Sequence, residues 1–69
     1  MAYYIVNKNA QSNGDHEIHK SSGCKYLPNS ENRVSLGDHA SCSTAVTAAK
    51  KHYGQVNGSY YCANACHTQ

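Results

Sequence analysis

The chain has 69 residues, and its six basic and four acidic side chains give a net charge of +2 at pH 7. This length predicts a single small domain over residues 1–69, and so small a charge excess does not by itself indicate nucleic acid as a partner. No stretch approaches the roughly 18 apolar residues that a membrane-spanning helix needs, so no membrane association is predicted.

The apolar content is low for a self-sufficient core. Phe and Trp are absent, and six tyrosines supply much of the bulk beside a few aliphatic residues. A core this small in so short a chain rarely supplies more than about 3–5 kcal/mol of stability. We therefore expect a staple, either a metal site or disulfides, for which the chain offers four cysteines and five histidines.

Two strands are predicted near the N-terminus. Residues Ala2 to Asn7 carry aromatic and β-branched side chains on both faces, which favours a central strand. Residues His16 to Lys20 alternate around Ile18 and predict a second, short strand. The polar stretch between them contains Asn13-Gly14, a strong turn signal, so we expect an antiparallel hairpin with a long loop.

The residues between His16–Lys20 and the helix are predicted to form loops on either side of one more strand. Cys24 follows a polar loop, and Pro28 ends any regular element after it. The segment Val34-Ser35-Leu36 predicts a third short strand. Gly37 is then expected to turn the chain toward a helix.

The helix has the clearest signals. Ser41 or Ser43 can cap its start, and Gly54 is expected to end it, directly after basic residues that suit the negative end of the helix dipole. One face is predicted to be buried, and it consists of Cys42, Ala45, Val46, Ala49 and Tyr53. The predicted fold class is α+β, with a short, mostly antiparallel sheet and one helix packed on it.

The C-terminal segment carries most of the candidate chemistry. Asn57-Gly58 predicts a turn, a short strand through Tyr60-Tyr61 is expected next, and Cys62, Cys66 and His67 follow. Zinc takes four Cys or His ligands in a tetrahedron, and a close pair such as Cys62 and Cys66 presents two of them at little ordering cost. The predicted zinc ligands are Cys24, Cys62, Cys66 and His67.

The fourth ligand and the kind of staple stay open at this point. His19 or Cys42 can replace His67 as the fourth ligand, and two disulfides or simply reduced, buried cysteines are the alternatives to zinc. Cys42 also fits the role of a small buried core thiol. His16, His39 and His52 are interpreted as solvated side chains.

No catalytic constellation is visible. The four carboxylates are isolated in the sequence, and so little bulk leaves little room for a pocket. We therefore predict a non-enzymatic binding module stapled by structural zinc, with an unidentified protein or nucleic-acid partner and no evident small-molecule substrate. The N-terminus lacks the pattern of a signal peptide, so a cytoplasmic location is expected. A disulfide-stapled scaffold of an exported protein is the alternative.

From Glu17 onward the order of features resembles a known zinc module. A strand with Glu17-Ile18-His19, a loop with Cys24, an alanine-rich helix after Ser41 and a closing cysteine pair are similar to the N-terminal module of the Ada DNA-alkylation repair proteins, and to short modules of bacterial nucleases. The resemblance covers about residues 17–67.

This resemblance implies one zinc bound through Cys24 and the pair Cys62 and Cys66. It also implies a thiol-reactive alternative, in which Cys24 accepts a methyl group from a DNA phosphotriester. The chain departs from the Ada pattern at Pro28, which stands where the partner cysteine of Cys24 is expected. It also has three residues, rather than two, between the closing cysteines.

Overall fold

A computed structural model describes residues 1–22 and 24–67. Within these residues the chain forms four strands, one α-helix and two short 3-10 turns at Ser30–Asn32 and Asn64–Cys66. The regular elements are β1 (Ala2–Asn7), β2 (His16–Lys20), β3 (Arg33–His39), α1 (Cys42–Ala49) and β4 (Val56–Gly58). The predicted α+β class is confirmed.

The four strands form one sheet in the order β3-β1-β2-β4. The predicted hairpin is present, with β1 antiparallel to β2 and Ile5 opposite His19. β3 pairs antiparallel with β1 on its other side, so β1 is an inner strand as expected. β4 joins the free edge of β2 in parallel, because α1 carries the chain across the sheet from one edge to the other.

Strand β3 is longer than its apolar residues suggest. Gly37 was expected to turn the chain toward the helix, but it lies inside β3 with φ of +81°. Tyr4 lies opposite Gly37 and Ile5 opposite Ser35, so Leu36 is an extra residue in the ladder. This is a β-bulge, and glycine adopts its left-handed backbone conformation without a Cβ clash.

The helix packs one face of small residues on the sheet. Cys42, Ala45 and Ala49 are buried, whereas Val46 and Tyr53 are only partly buried. Small side chains let the helix approach the fully buried Val6 and Ile18 of the sheet. The helix ends at Ala49, earlier than the Gly54 signal predicts, and turns follow it. No helix in the described residues is long and apolar enough to cross a membrane.

The segment after the helix also differs from the prediction. Asn57-Gly58, which was expected to form a turn, belongs to β4. Tyr60-Tyr61, which was expected to be a strand, lies in a turn and is exposed. The free edge of β2 provides backbone hydrogen-bond partners for residues 56–58. Pairing with that edge makes them a strand in spite of the local turn signal.

Candidate functional site

The four cysteines come together in two pairs. Cys24 pairs with Cys62 and Cys42 with Cys66, each with its sulfurs at bonding distance. The Cα atoms are 5.5 Å apart in the first pair and 6.2 Å apart in the second, which is the usual range for disulfides. The first pair brings the C-terminal segment onto the loop that carries Cys24.

Cys42 needs a correction to its interpretation as a core thiol. It is 7% exposed and belongs to the core cluster, as expected, but it is bonded to Cys66 rather than free. The pair fixes the 3-10 turn Asn64–Cys66 against the start of the helix. The second cysteine of the predicted close pair is therefore linked to the helix and does not share a site with Cys62.

His19 lies beside the other pair. Its Nδ1 atom is 3.7 Å from Sγ of Cys24 and 3.5 Å from Sγ of Cys62. The neighbouring Ile18 packs in the core under the helix, and successive side chains of a strand point to opposite faces. His19 therefore points to the other face of β2, where the Cys24–Cys62 pair covers it and leaves it only 2% exposed.

The electrostatics of His19 favour a neutral ring. Burial lowers the pKa of its imidazole below the ordinary value, Glu17 opposes this shift, and Arg33 adds to it. Oε1 of Glu17 lies 3.6 Å from Nε2 of His19. A carboxylate at Nε2 favours the tautomer with its hydrogen there, which leaves the lone pair of Nδ1 facing the two sulfurs.

His19, Cys24 and Cys62 form a group that could hold a metal ion, because their ligand atoms all lie within 4.8 Å of one another. Two sulfurs and one imidazole nitrogen suit zinc. In a tetrahedral zinc site the N···S edges are roughly 3.6 Å, given Zn–N and Zn–S bonds of about 2.0 and 2.3 Å. The observed distances of 3.5 and 3.7 Å match these edges.

The two sulfurs of this group do not yet suit a metal. They are bonded to each other, and two thiolates on one zinc lie roughly 3.8 Å apart. Reduction of the pair is therefore needed before these residues can bind zinc.

Two of the predicted zinc ligands lie elsewhere. Cys66 is paired with Cys42, and Nδ1 of His67 donates a hydrogen bond of 3.0 Å to the carbonyl oxygen of Gly58. Neither belongs to the group around His19. That group therefore contains Cys24 and Cys62 from the predicted set, together with His19 from the predicted alternatives.

An open cavity of about 320 Å³ lies beside the Cys24–Cys62 pair. Its lining consists of Cys24, Lys25, Tyr26 and Tyr61, with the two tyrosine rings stacked 4.0 Å apart. The expectation that so small a core leaves little room for a pocket needs correction here. All four lining residues lie in the two segments that the Cys24–Cys62 pair joins, and none of them belongs to the core cluster.

Two exposed tyrosines line this cavity, and a third contacts one of them. Tyr26, Tyr60 and Tyr61 are 56%, 58% and 63% exposed, and Tyr60 contacts both Tyr61 and His67 edge-on. Counting tyrosines as core bulk missed this cluster. The available signal was the adjacent pair Tyr60-Tyr61 directly before Cys62, because successive side chains of the predicted strand point to opposite faces and cannot both be buried on one face.

Two of the three histidines interpreted as solvated have defined partners. His16 donates from Nδ1 to the carbonyl oxygen of Asn7 at 2.9 Å and stacks on Tyr53 with ring centroids 3.8 Å apart. His39 lies with Nδ1 2.9 Å from Oγ1 of Thr44. His52 is exposed, as expected.

Asp15 is not isolated in the fold, although it is isolated in the sequence. The residue is 5% exposed, and its carboxylate accepts a hydrogen bond of 2.7 Å from Nε2 of Gln55 and another of 3.2 Å from Nδ2 of Asn13. Nδ2 of Asn57 lies 3.5 Å away. These contacts tie the long hairpin loop to β4, so we assign them a structural role.

Comparison of the chain with models of protein families, with curated proteins and with solved structures gave no match. The resemblance to the Ada module therefore stays a prediction from the order of elements and cysteines.

Proposed function

We propose that this chain is a small, non-enzymatic binding module whose fold is closed by its cysteines, and that Cys24, Cys62 and His19 bind zinc when the first pair is reduced. The observation that carries the zinc part is the position of the His19 Nδ1 atom, 3.5 and 3.7 Å from the two sulfurs. Zinc there would replace the disulfide as the link between the two loops.

The surroundings of His19 favour this assignment. Histidines that bind metals usually direct their second ring nitrogen to a carboxylate or a carbonyl group, which fixes the tautomer and the orientation of the ring. Glu17 stands in that position, 3.6 Å from Nε2. The described residues supply three ligands, one fewer than the closed four-ligand site that the sequence predicts.

The binding part of the proposal is supported by the tyrosines beside this centre. Large aromatic side chains grouped in an exposed position are enriched at interaction surfaces. Tyr26 follows Cys24 by two residues, and Tyr61 directly precedes Cys62. The link between these two cysteines therefore orders this surface. A protein or a nucleic acid remains the class of partner that we propose.

Native mass spectrometry of the intact chain tests the zinc site. With a phosphine reductant and one equivalent of zinc, we expect one bound zinc in the wild type and in His52→Gln, an exposed control. His19→Gln should bind much more weakly, and Glu17→Gln about 10–100-fold more weakly, as is typical when a metal-bound histidine loses its orienting partner. Equal zinc affinity for His19→Gln and the wild type would exclude His19 as a ligand.

A second candidate is a disulfide-stapled scaffold of an exported protein. It is favoured by the Cα separations of both pairs, which suit disulfides without rearrangement. Thiol titration of the chain isolated without added oxidant distinguishes the two candidates. Four unreactive cysteines, with a mass short of four hydrogens, would support the scaffold, whereas two or more free thiols with bound zinc would support the metal module.

A further inference from the structure

We propose that the oxidised Cys24–Cys62 pair is a reactive disulfide, and that it exchanges with a small anionic thiol bound in the cavity beside Cys24. This activity is separate from the proposed zinc site, because it belongs to the oxidised chain and needs no metal. Each chain reacts through its own disulfide and is changed by the reaction, so the exchange is stoichiometric and not catalytic.

The two cysteine pairs differ in access. Cys24 lines the open cavity, whereas Cys42 is 7% exposed and lies inside the hydrophobic core cluster. Its partner Cys66 is partly buried and packs against that cluster, and it does not line the cavity. Exchange requires a thiolate to reach one sulfur along the axis of the S–S bond, so access decides which disulfide reacts and which sulfur is attacked. The Cys24–Cys62 pair should therefore open first, with Cys24 as the attacked residue.

The cavity suits a thiol of a particular class. Its volume of about 320 Å³ lies at the lower end of the range for small-molecule sites. Lys25, a basic residue, is part of the lining, together with Tyr26 and Tyr61, whose rings stack on each other. A positive charge beside the attacked sulfur favours a thiol that carries a carboxylate over a neutral one.

The reaction balances without any further reagent. The incoming thiol loses its proton to solvent, and its thiolate attacks Sγ of Cys24. The S–S bond breaks, and Cys62 leaves as a thiolate that takes up a proton from solvent. The products are a mixed disulfide on Cys24 and a free thiol on Cys62. A second thiol can then attack the mixed disulfide, which leaves both cysteines reduced and joins the two small thiols in a disulfide.

The test uses the oxidised full chain with a chelator present. Glutathione serves as the anionic thiol and 2-mercaptoethanol as the neutral one, and the reactions are quenched with acid, alkylated and mapped by peptide mass spectrometry. We expect glutathione on Cys24 and the alkylating agent on Cys62, with the Cys42–Cys66 pair intact. Opening of the Cys42–Cys66 pair first, or an adduct on Cys62, would overturn the proposal.

A charge variant tests the cavity itself. Lys25→Gln should slow the exchange with glutathione roughly two- to fivefold, as expected for one exposed ion pair, and should leave the exchange with 2-mercaptoethanol unchanged. Lys50→Gln, at the end of the helix, is the matched control and should change neither rate. Equal slowing of both thiols by Lys25→Gln would exclude recognition of the anion.

The outcomes are separable from those of the zinc experiment. A chain that binds zinc when reduced, but whose Cys24–Cys62 pair does not exchange before the other, would retain the proposed function and lose this inference. A chain that exchanges as described but binds no zinc would retain the inference alone.

Discussion

The rings of Tyr26 and Tyr61 stack with their centroids 4.0 Å apart, although both side chains are more than half exposed. Tyr26 stands two residues after Cys24, and Tyr61 directly precedes Cys62. Burial alone does not hold two such exposed rings together. The link between the cysteines brings the two turns into register, and the stack follows from it.

A double-mutant cycle measures this dependence. Replacing Tyr26 and Tyr61 with Ala, singly and together, should give a coupling of about 0.5–1.5 kcal/mol in the oxidised wild type, as is usual for aromatic pairs. In a background with Cys24→Ala and Cys62→Ala, the coupling should fall toward zero. Denaturant unfolding gives both values, and an unchanged coupling would show that the stack forms without the link.

Gly58 should be less replaceable than Gly54, the other described glycine without a positive φ. A Cβ at this position would lie 2.6 Å from the carbonyl oxygen of Ala63 and 2.8 Å from Cβ of Cys66. Because a backbone atom is in the way, we expect Gly58→Ala to destabilise the fold by about 1–3 kcal/mol or more. Thermal melts and the formation of the Cys42–Cys66 pair would report this effect.

Gly54→Ala is the matched control for this substitution. A Cβ at Gly54 meets no atom within 4 Å, and the loss of backbone freedom in the unfolded chain should stabilise the fold by up to about 1 kcal/mol. Equal melting temperatures for the two variants would contradict the observed path of the C-terminal segment over β4.

In the oxidised chain, the two cysteines of each disulfide should have similar effects on stability when they are replaced. Cys42→Ala and Cys66→Ala should each lower the free energy of unfolding by roughly 3–4 kcal/mol, the entropic value for a link across a loop of this length, and the double variant should be no worse than either. The zinc ligands predicted from the sequence, with Cys42 as a core thiol, would instead give a mild effect for Cys42→Ala and severe effects for the other three. Denaturant unfolding of the four single variants distinguishes the two rankings.

The helix face gives a graded prediction. Ala49 is fully buried, whereas Val46 is partly buried and Thr47 is exposed. Ala49→Asp should unfold the domain, because burying an unpaired carboxylate costs several kcal/mol. Val46→Asp should be milder than the sequence suggests, since its carboxylate can reach water, and Thr47→Asp should be nearly neutral. The dispersion of the NMR signals shows which of the three variants are folded. A folded Ala49→Asp variant would contradict the burial of this face of the helix.

His19 should make the oxidised chain sensitive to acid. Burial lowers its pKa in the folded state below the ordinary 6.5. Just below pH 6.5 the imidazole is therefore protonated in the unfolded chain but still neutral in the folded chain. The contribution of His19 to the free energy of unfolding is therefore fully present above pH 6.5. It is lost as the pH falls below that value, until the ring is protonated in the folded state as well. The free energy of unfolding should fall more steeply between pH 7 and pH 5 in the wild type and in His52→Gln than in His19→Gln. Equal slopes would show that His19 is not buried as a neutral ring.

Local patterns in the sequence correctly predicted most of the elements. Aromatic and β-branched residues gave the strand Ala2–Asn7, alternation gave the strand His16–Lys20, and alanine content with its flanking signals gave the helix. These features depend on neighbours within a few residues, so propensity and periodicity capture them. β4 escaped prediction because its three residues form a strand only through the free edge of β2, about 40 residues earlier in the chain.

The sequence by itself determined that this small domain needs a staple, and that its cysteines and histidines are the material for one. Only the tertiary structure decided which side chains meet. The alternation of β2 points His19 away from the helix, and the path of the C-terminal segment brings Cys62 to Cys24 and Cys66 to Cys42. Partners 24 and 38 residues apart leave no local trace in the sequence, because their meeting depends on how the sheet and helix pack.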